Sequence, residues 1–235
     1  MRIALLTSGN ETPLEKRGDL YEVVCLIDAA KSPKPPRNLN DREWADLETA
    51  EFLRSLEIDY VFAAGYPYVL TQPLLDAFPN RIIVVQNGDL TERDKYGRRR
   101  WVGTQPVLDA LLAGASSTRT SLYFATNEVG HGPLFLIGPR YAVPVMVQHA
   151  LARGDYDSVA TYAHLHGRWM RQSWGELLMR AIEILSAGTI TVVADMVWVD
   201  GVPGPCRLAE APDVCQKSES RIQRGIPSSC PFIQP

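Results

Sequence analysis

Two short stretches of this 235-residue chain concentrate side chains able to move protons. Gln86-Asn87-Gly88-Asp89 follows an apolar run and holds two amides and a carboxylate. Asp89 would act there as a general base, and Asn87 as a donor to developing negative charge. The same residues also make an ordinary turn, because Asn-Gly is a strong turn signal. Glu128 and His131 share a second polar loop, residues 126–133. Histidine titrates near neutral pH, so His131 suits acid–base work. A loop histidine without chemistry is the other reading, and Glu128 fits a structural role.

Other polar side chains point away from chemistry. His164 and His166 lie two apart in a helical stretch, so they face different ways and make no metal pair. No metal site is expected. The cysteines (Cys25, Cys206, Cys215 and Cys230) form no CxxC pair, which fits reduced thiols in a cytoplasmic protein. Ser8-Gly9-Asn10 follows the first apolar run without GxGxxG spacing, and Walker A, GxSxG and HExxH patterns are absent. A net charge of −3 leaves no electrostatic footprint for nucleic acid or anionic lipid. Arg98-Arg99-Arg100 reads as a solvated turn. No run approaches the ~18 apolar residues of a membrane span, and the start MRIALLT is too short for a signal segment.

The elements that must position these residues alternate apolar runs with amphipathic stretches, as in parallel α/β architecture. Strands are predicted at 2–7, 21–27, 59–64 and 81–85, the last apolar on both faces and therefore central. Two more are predicted at 121–125 and 134–137, flanking the 126–133 loop. A helix over 41–56 is capped by Asn40 and carries Trp44, Leu47, Phe52 and Leu56 near one face. Short helices follow at 73–77 and 105–113. From residue 145 the chain turns helical, with one long helix over 158–187 and a final strand over 189–199. Trp169 and Trp174 are expected in the core. Residues 1–205 make one α/β domain with a C-terminal helical and strand extension, and 206–235 read as a flexible tail. Ligands in such sheets collect at the carboxyl ends of strands, here residues 7–12, 64–68, 86–90 and 126–133.

Four blocks in this order, ALLTSGN, AAGYPYVL, FPNRIIVVQNGDL and GTQPVLDALLAGASSTRTSLYFATNEVGHGPLF, resemble the folate-dependent formyltransferases over residues 1–140. The likeness is to the glycinamide ribonucleotide type and related small proteins. The resemblance implies an open, mostly parallel Rossmann-like sheet. It also implies 10-formyltetrahydrofolate as co-substrate, a small-molecule amine as acceptor, and a possible homodimer. It assigns folate contacts to Tyr66, Tyr68, Val69, Thr126, Glu128 and Gly132, with Pro67 deleting one backbone donor.

The family holds the oxyanion with an Asn and a His two residues later, and an Asp before Gly-Gly-Pro handles the protons. Matched residue by residue, those positions are Val84, Gln86 and Gly130. Val84 has no polar atom, Gln86 donates but carries no proton near neutrality, and Gly130 has no carboxylate. The family's phosphate-cradling Gly-Ser-Asn falls on Glu11, Thr12 and Pro13, which disfavours a ribotide acceptor. Three functions stand at this point. One is a formyltransferase with a site remodelled around Gln86, Asn87, Asp89 and His131. Another is an inactive relative that binds a ligand or partner. The third is an enzyme of different chemistry on the same scaffold.

Overall fold

The computed structural model describes residues 1–9, 14, 18–31, 36–188, 190–193 and 195–208. The expectations for Glu11, Thr12 and Pro13, and for most of the 206–235 tail, lie outside these residues.

The short apolar runs become the strands of one sheet in the order β10-β6-β5-β4-β3-β1-β2. β1 (Arg2–Thr7) is buried from Ile3 onward and sits between β2 (Glu22–Asp28) and β3 (Tyr60–Ala64). β4 (Ile82–Gln86) continues the parallel set beside β3. The sheet then reverses. β5 (Ser117–Phe124) runs antiparallel to β4, and β6 (Leu134–Ala142) antiparallel to β5. Cys206–Arg207, expected in the tail, instead forms β10 parallel to β6. The sheet is thus mixed and mostly parallel, as expected.

The reversal corrects the placement of residues 126–133. They follow an antiparallel strand, so they start beside Ile82, where Ala125 N–H donates to the Ile82 carbonyl at 2.8 Å. They are not at a parallel strand's carboxyl end.

Helices α1 (Leu39–Ser55) and α2 (Gln72–Ala77) cover one face around Leu6, Leu53, Val61, Leu74 and Ile82. The other face is closed by α6 (Trp174–Ser186) and a small sheet of β7 (Ile190–Val193), β8 (Met196–Val199) and β9 (Val202–Pro203). The helices α3 (Pro106–Leu112), α4 (Val145–Ala152) and α5 (Tyr156–Arg171) share a third cluster with Tyr141 and Val143. No helix among the described residues is long and apolar enough to cross a membrane.

Five sequence expectations change. The α1 cap is Asn38, whose extended backbone lets its Oδ1 accept from Asp41 N–H at 2.9 Å. The inward side of α1 is Arg42, Asp46, Ala50 and Leu53, while Trp44, Leu47 and Phe52 are exposed. The reason is an Arg42–Asp46 ion pair on the buried side. Asp46 also accepts from Thr71 N–H at 2.7 Å and Thr71 Oγ1 at 2.8 Å. The long helix over 158–187 breaks at Gln172–Ser173, where Ser173 Oγ donates back to the Met170 carbonyl at 2.9 Å. Trp174 is core, but Trp169 is 41% exposed and lies edge-on to Tyr141. The final strand is a hairpin, β7 against β8, with Asp195 at φ 60 in the turn.

Candidate functional site

Side chains two apart on a strand share a face, so β4 presents Val84 and Gln86 together. Val84 pairs across the sheet with Tyr123, whose hydroxyl oxygen accepts from the Gly130 N–H at 3.2 Å. Gln86 reaches the other way. Its Nε2 donates to the carbonyls of Gly103 at 3.2 Å and Trp101 at 3.4 Å. The residue between those carbonyls, Val102, packs on Gly130 so closely that a Cβ there would lie 2.6 Å from Val102 Cγ1. Val84, Gln86 and Gly130, 46 positions apart from first to last, are therefore neighbours around Tyr123 and Val102.

Gly130 adopts φ +76, a region that side-chain-bearing residues avoid. Gly132 is fixed by space instead, since a Cβ would sit 1.9 Å from the Phe124 carbonyl oxygen. Arg99 ties this loop down, donating from Nη1 to the Gly130 carbonyl at 2.7 Å and the Gly132 carbonyl at 2.8 Å. Burial, followed by the nearby Arg93 charge, lowers the Arg99 pKa from its usual value. Burial likewise raises that of Tyr123. The middle of the basic triplet is thus a loop clamp, while Arg98 stays exposed as expected.

The other acid–base candidates are held by partners. Asp89 is 7% exposed and pairs through Oδ2 with Arg119 Nε at 3.1 Å. Its Oδ1 accepts from the Thr91 N–H at 3.0 Å and from the Thr91 hydroxyl. Asn87 Oδ1 accepts from Thr120 Oγ1 and Trp174 Nε1, both at 2.9 Å, and Nδ2 donates to the Gly167 carbonyl at 3.0 Å. Asn87 therefore stitches β5, α5 and α6 to the end of β4. Ser121 adds to the seam, donating to the Gly88 carbonyl at 2.8 Å and accepting from Leu90 N–H at 3.2 Å. His131 is half-buried and its Nε2 lies 3.9 Å from Glu128 Oε1, on a largely exposed side chain.

The residues assigned to folate contact divide into two groups. Tyr66 is among the partly buried apolar residues, with Leu70, Val84 and Ala125, that pack on the α1–α2 core. Tyr66 and Tyr68 meet edge to face at 5.5 Å, and the Arg42 guanidinium lies 5.5 and 5.4 Å from their ring centres. Arg42 Nη1 also donates to Tyr66 Oη at 3.1 Å. Val69 is exposed beside them. In the 126–133 loop, Thr126 Oγ1 donates to the Glu128 carbonyl at 3.2 Å. Among the described residues no group of three His, Cys, Asp or Glu side chains is placed to hold a metal.

Sequence reasoning missed Arg42, Asp46, Arg99 and Arg119. Only the first two left a signal, opposite charges four apart on one helix face. His166, read from sequence only as half of no metal pair, is 2% exposed and bonded at both ring nitrogens, to Thr118 Oγ1 at 2.7 Å and Tyr162 Oη at 3.0 Å. His164 is exposed on a different side of α5, as its spacing requires.

No protein-family model matches the chain, and neither does any curated protein. Solved structures do. Glycinamide ribonucleotide transformylase 1 from Symbiobacterium toebii is 23% identical with a TM-score of 0.52, over 84% of this chain and 93% of that one. Phosphoribosylglycinamide formyltransferase from Coxiella burnetii is 15% identical with a TM-score of 0.56, over 88% and 99%. A formyltetrahydrofolate deformylase from Pseudomonas syringae is 16% identical with a TM-score of 0.60, over 84% of this chain and 65% of that one. Together with the mixed sheet, these likenesses establish that the chain has the formyltransferase fold.

Proposed function

We propose that this chain uses the formyltransferase fold to bind a reduced folate without transferring its formyl group. The observation that carries the reading is what surrounds Val84. Val84 is among the partly buried apolar residues on the α1–α2 core, and its side chain has no atom that can donate to an oxyanion. The nearest amide, Gln86, is engaged by the chain's own carbonyls at 101 and 103. Gly130 offers no carboxylate, and Val102 occupies the space a side chain there would need. An oxyanion donor is worth about 2.7–4 kcal/mol of barrier and general acid–base help about 10²–10⁴-fold, so formyl transfer loses its main terms together.

The proposal names 10-formyltetrahydrofolate and its stable relatives as the ligand class. Backbone N–H groups of Tyr68, Val69 and Leu70 make no hydrogen bond among the described residues, leaving donors next to Tyr66 for a ring's polar edge. Thermal unfolding with 5-formyltetrahydrofolate tests the binding. Ligand at about 100 times its Kd adds about 2.7 kcal/mol, a rise of roughly 5–10 °C for a domain of this size. Val84→Asp, which puts a charge at the position matched to the family's oxyanion donor, should remove the rise. A rise unchanged in that variant would place the ligand elsewhere, and no rise at millimolar ligand would end the proposal.

One observation favours the remodelled transferase as second reading. His131 is partly open to solvent next to Gly130, where a proton carrier would be needed. Formyl-folate consumption abolished by His131→Ala would establish it.

A further inference from the structure

The exposed side of α1 is chemically distinctive. Trp44 is 64% exposed, Phe52 51% and Leu47 40%. At 100° per residue they fall on one stripe, opposite the buried Arg42, Asp46, Ala50 and Leu53. The helix has no rotation that hides them, since turning it would pull the Arg42–Asp46 pair from Thr71 and Tyr66 into solvent. Trp44 Nε1 donates to Glu48 Oε1 at 3.1 Å, holding the indole along the helix. That bond restrains Trp44 before anything binds, which lowers the ordering cost of association at this residue. Exposed aromatic anchors of this kind mark interaction surfaces more often than scattered single leucines do.

Charge selects the occupant. Asp41, Glu43, Glu48 and Glu51 are exposed on α1, against Arg54 as the exposed base. Glu48 and Glu51 lie between the apolar side chains. A second copy docking through the same stripe would set these carboxylates against their own kind, and anionic lipid or nucleic acid would meet the same repulsion. A basic segment matches both features. We infer that the Trp44–Leu47–Phe52 face of α1 docks a basic amphipathic helix of another polypeptide, its leucine-type residues on the aromatic stripe and its lysines or arginines on Glu48 and Glu51.

The test uses the full chain and a fluorescein-labelled peptide of lysine and leucine at helical spacing, roughly five turns long, read by anisotropy. A partner peptide carries glutamate in place of lysine. The expected result is saturable binding of the lysine peptide that weakens at roughly 0.5 M salt, where screening is short-ranged. The glutamate peptide should not bind. Trp44→Ala with Phe52→Ala should weaken binding about thirtyfold or more, as loss of an aromatic hot spot does. Glu48→Lys with Glu51→Lys should weaken it as well. Circular dichroism and thermal unfolding confirm that both double variants fold, which surface positions favour. The inference fails if the lysine peptide does not bind, if either double variant binds within twofold of the parent, or if the glutamate peptide binds as well. It fails also if the parent sediments as a dimer that Trp44→Ala converts to monomer, which would make a second copy the occupant.

Discussion

Lowering the pH from 7 to 5 should weaken this fold through one buried histidine. His166 is enclosed by Thr118, Tyr162, Tyr141 and Trp169, and its ring nitrogens are both bonded to hydroxyls. Burial pushes its pKa from 6.5 down to about 4. The unfolded chain therefore takes up a proton near pH 6.5, while the folded chain resists until about pH 4. Between those values the unfolded state binds more protons, so stability rises with pH and is lost as pH falls. At about 1.36 kcal/mol per pH unit, the part of this window between pH 6.5 and 5 makes about 2 kcal/mol. Urea unfolding followed by circular dichroism at pH 7, 6 and 5 measures the slope. His166→Gln keeps a hydrogen-bonding side chain but cannot titrate, so the variant should be less stable at pH 7 and nearly flat over this window. Equal slopes in parent and variant would refute the assignment of the pH dependence to His166.

Two substitutions test the packing of the site itself. Asp89→Asn leaves Arg119 as a buried charge with a weakened partner and should cost about 3–5 kcal/mol, measured by urea unfolding; a change under about 0.5 kcal/mol would show that the pair does not hold the 87–91 turn. Gly130→Asp meets Val102 and a left-handed backbone, so about 2–4 kcal/mol is expected. In a Val102→Ala background that loss should shrink by about 1 kcal/mol or more, a coupling a double-mutant cycle resolves.

The parallel half of the sheet was readable because short β-branched apolar runs such as IIVV at 82–85, bounded by turn residues, favour buried strands. β5 was less readable. Thr118, Arg119, Thr120 and Ser121 are all buried there, and a polar run carries no burial signal until its partners are known. Those partners, His166, Asp89, Asn87 and the Gly88 carbonyl, lie 30 to 48 positions away. The same distance hid the roles of Asn87 and Asp89. As free side chains they resemble a donor and a base, and in the fold they are fasteners. Ordered blocks of resemblance match Val84, Gln86 and Gly130 to the family's motif positions; in the fold Val84 pairs with Tyr123, whose hydroxyl meets the Gly130 N–H, while Gln86 pairs with Ser121. Periodicity misled most on α1, where three large apolar residues share a face that the Arg42–Asp46 pair turns outward. Ion pairs on the inner side of a helix invert the usual reading of its apolar stripe.

Equilibrium dialysis of the purified chain against 10-formyltetrahydrofolate, with the folates on both sides identified afterwards, tests binding without transfer most directly. The account predicts excess folate on the protein side that saturates, with the formyl group retained to the same extent as in a protein-free cell. Deformylated tetrahydrofolate accumulating with protein, with or without an added amine, would contradict it, as would equal folate on the two sides.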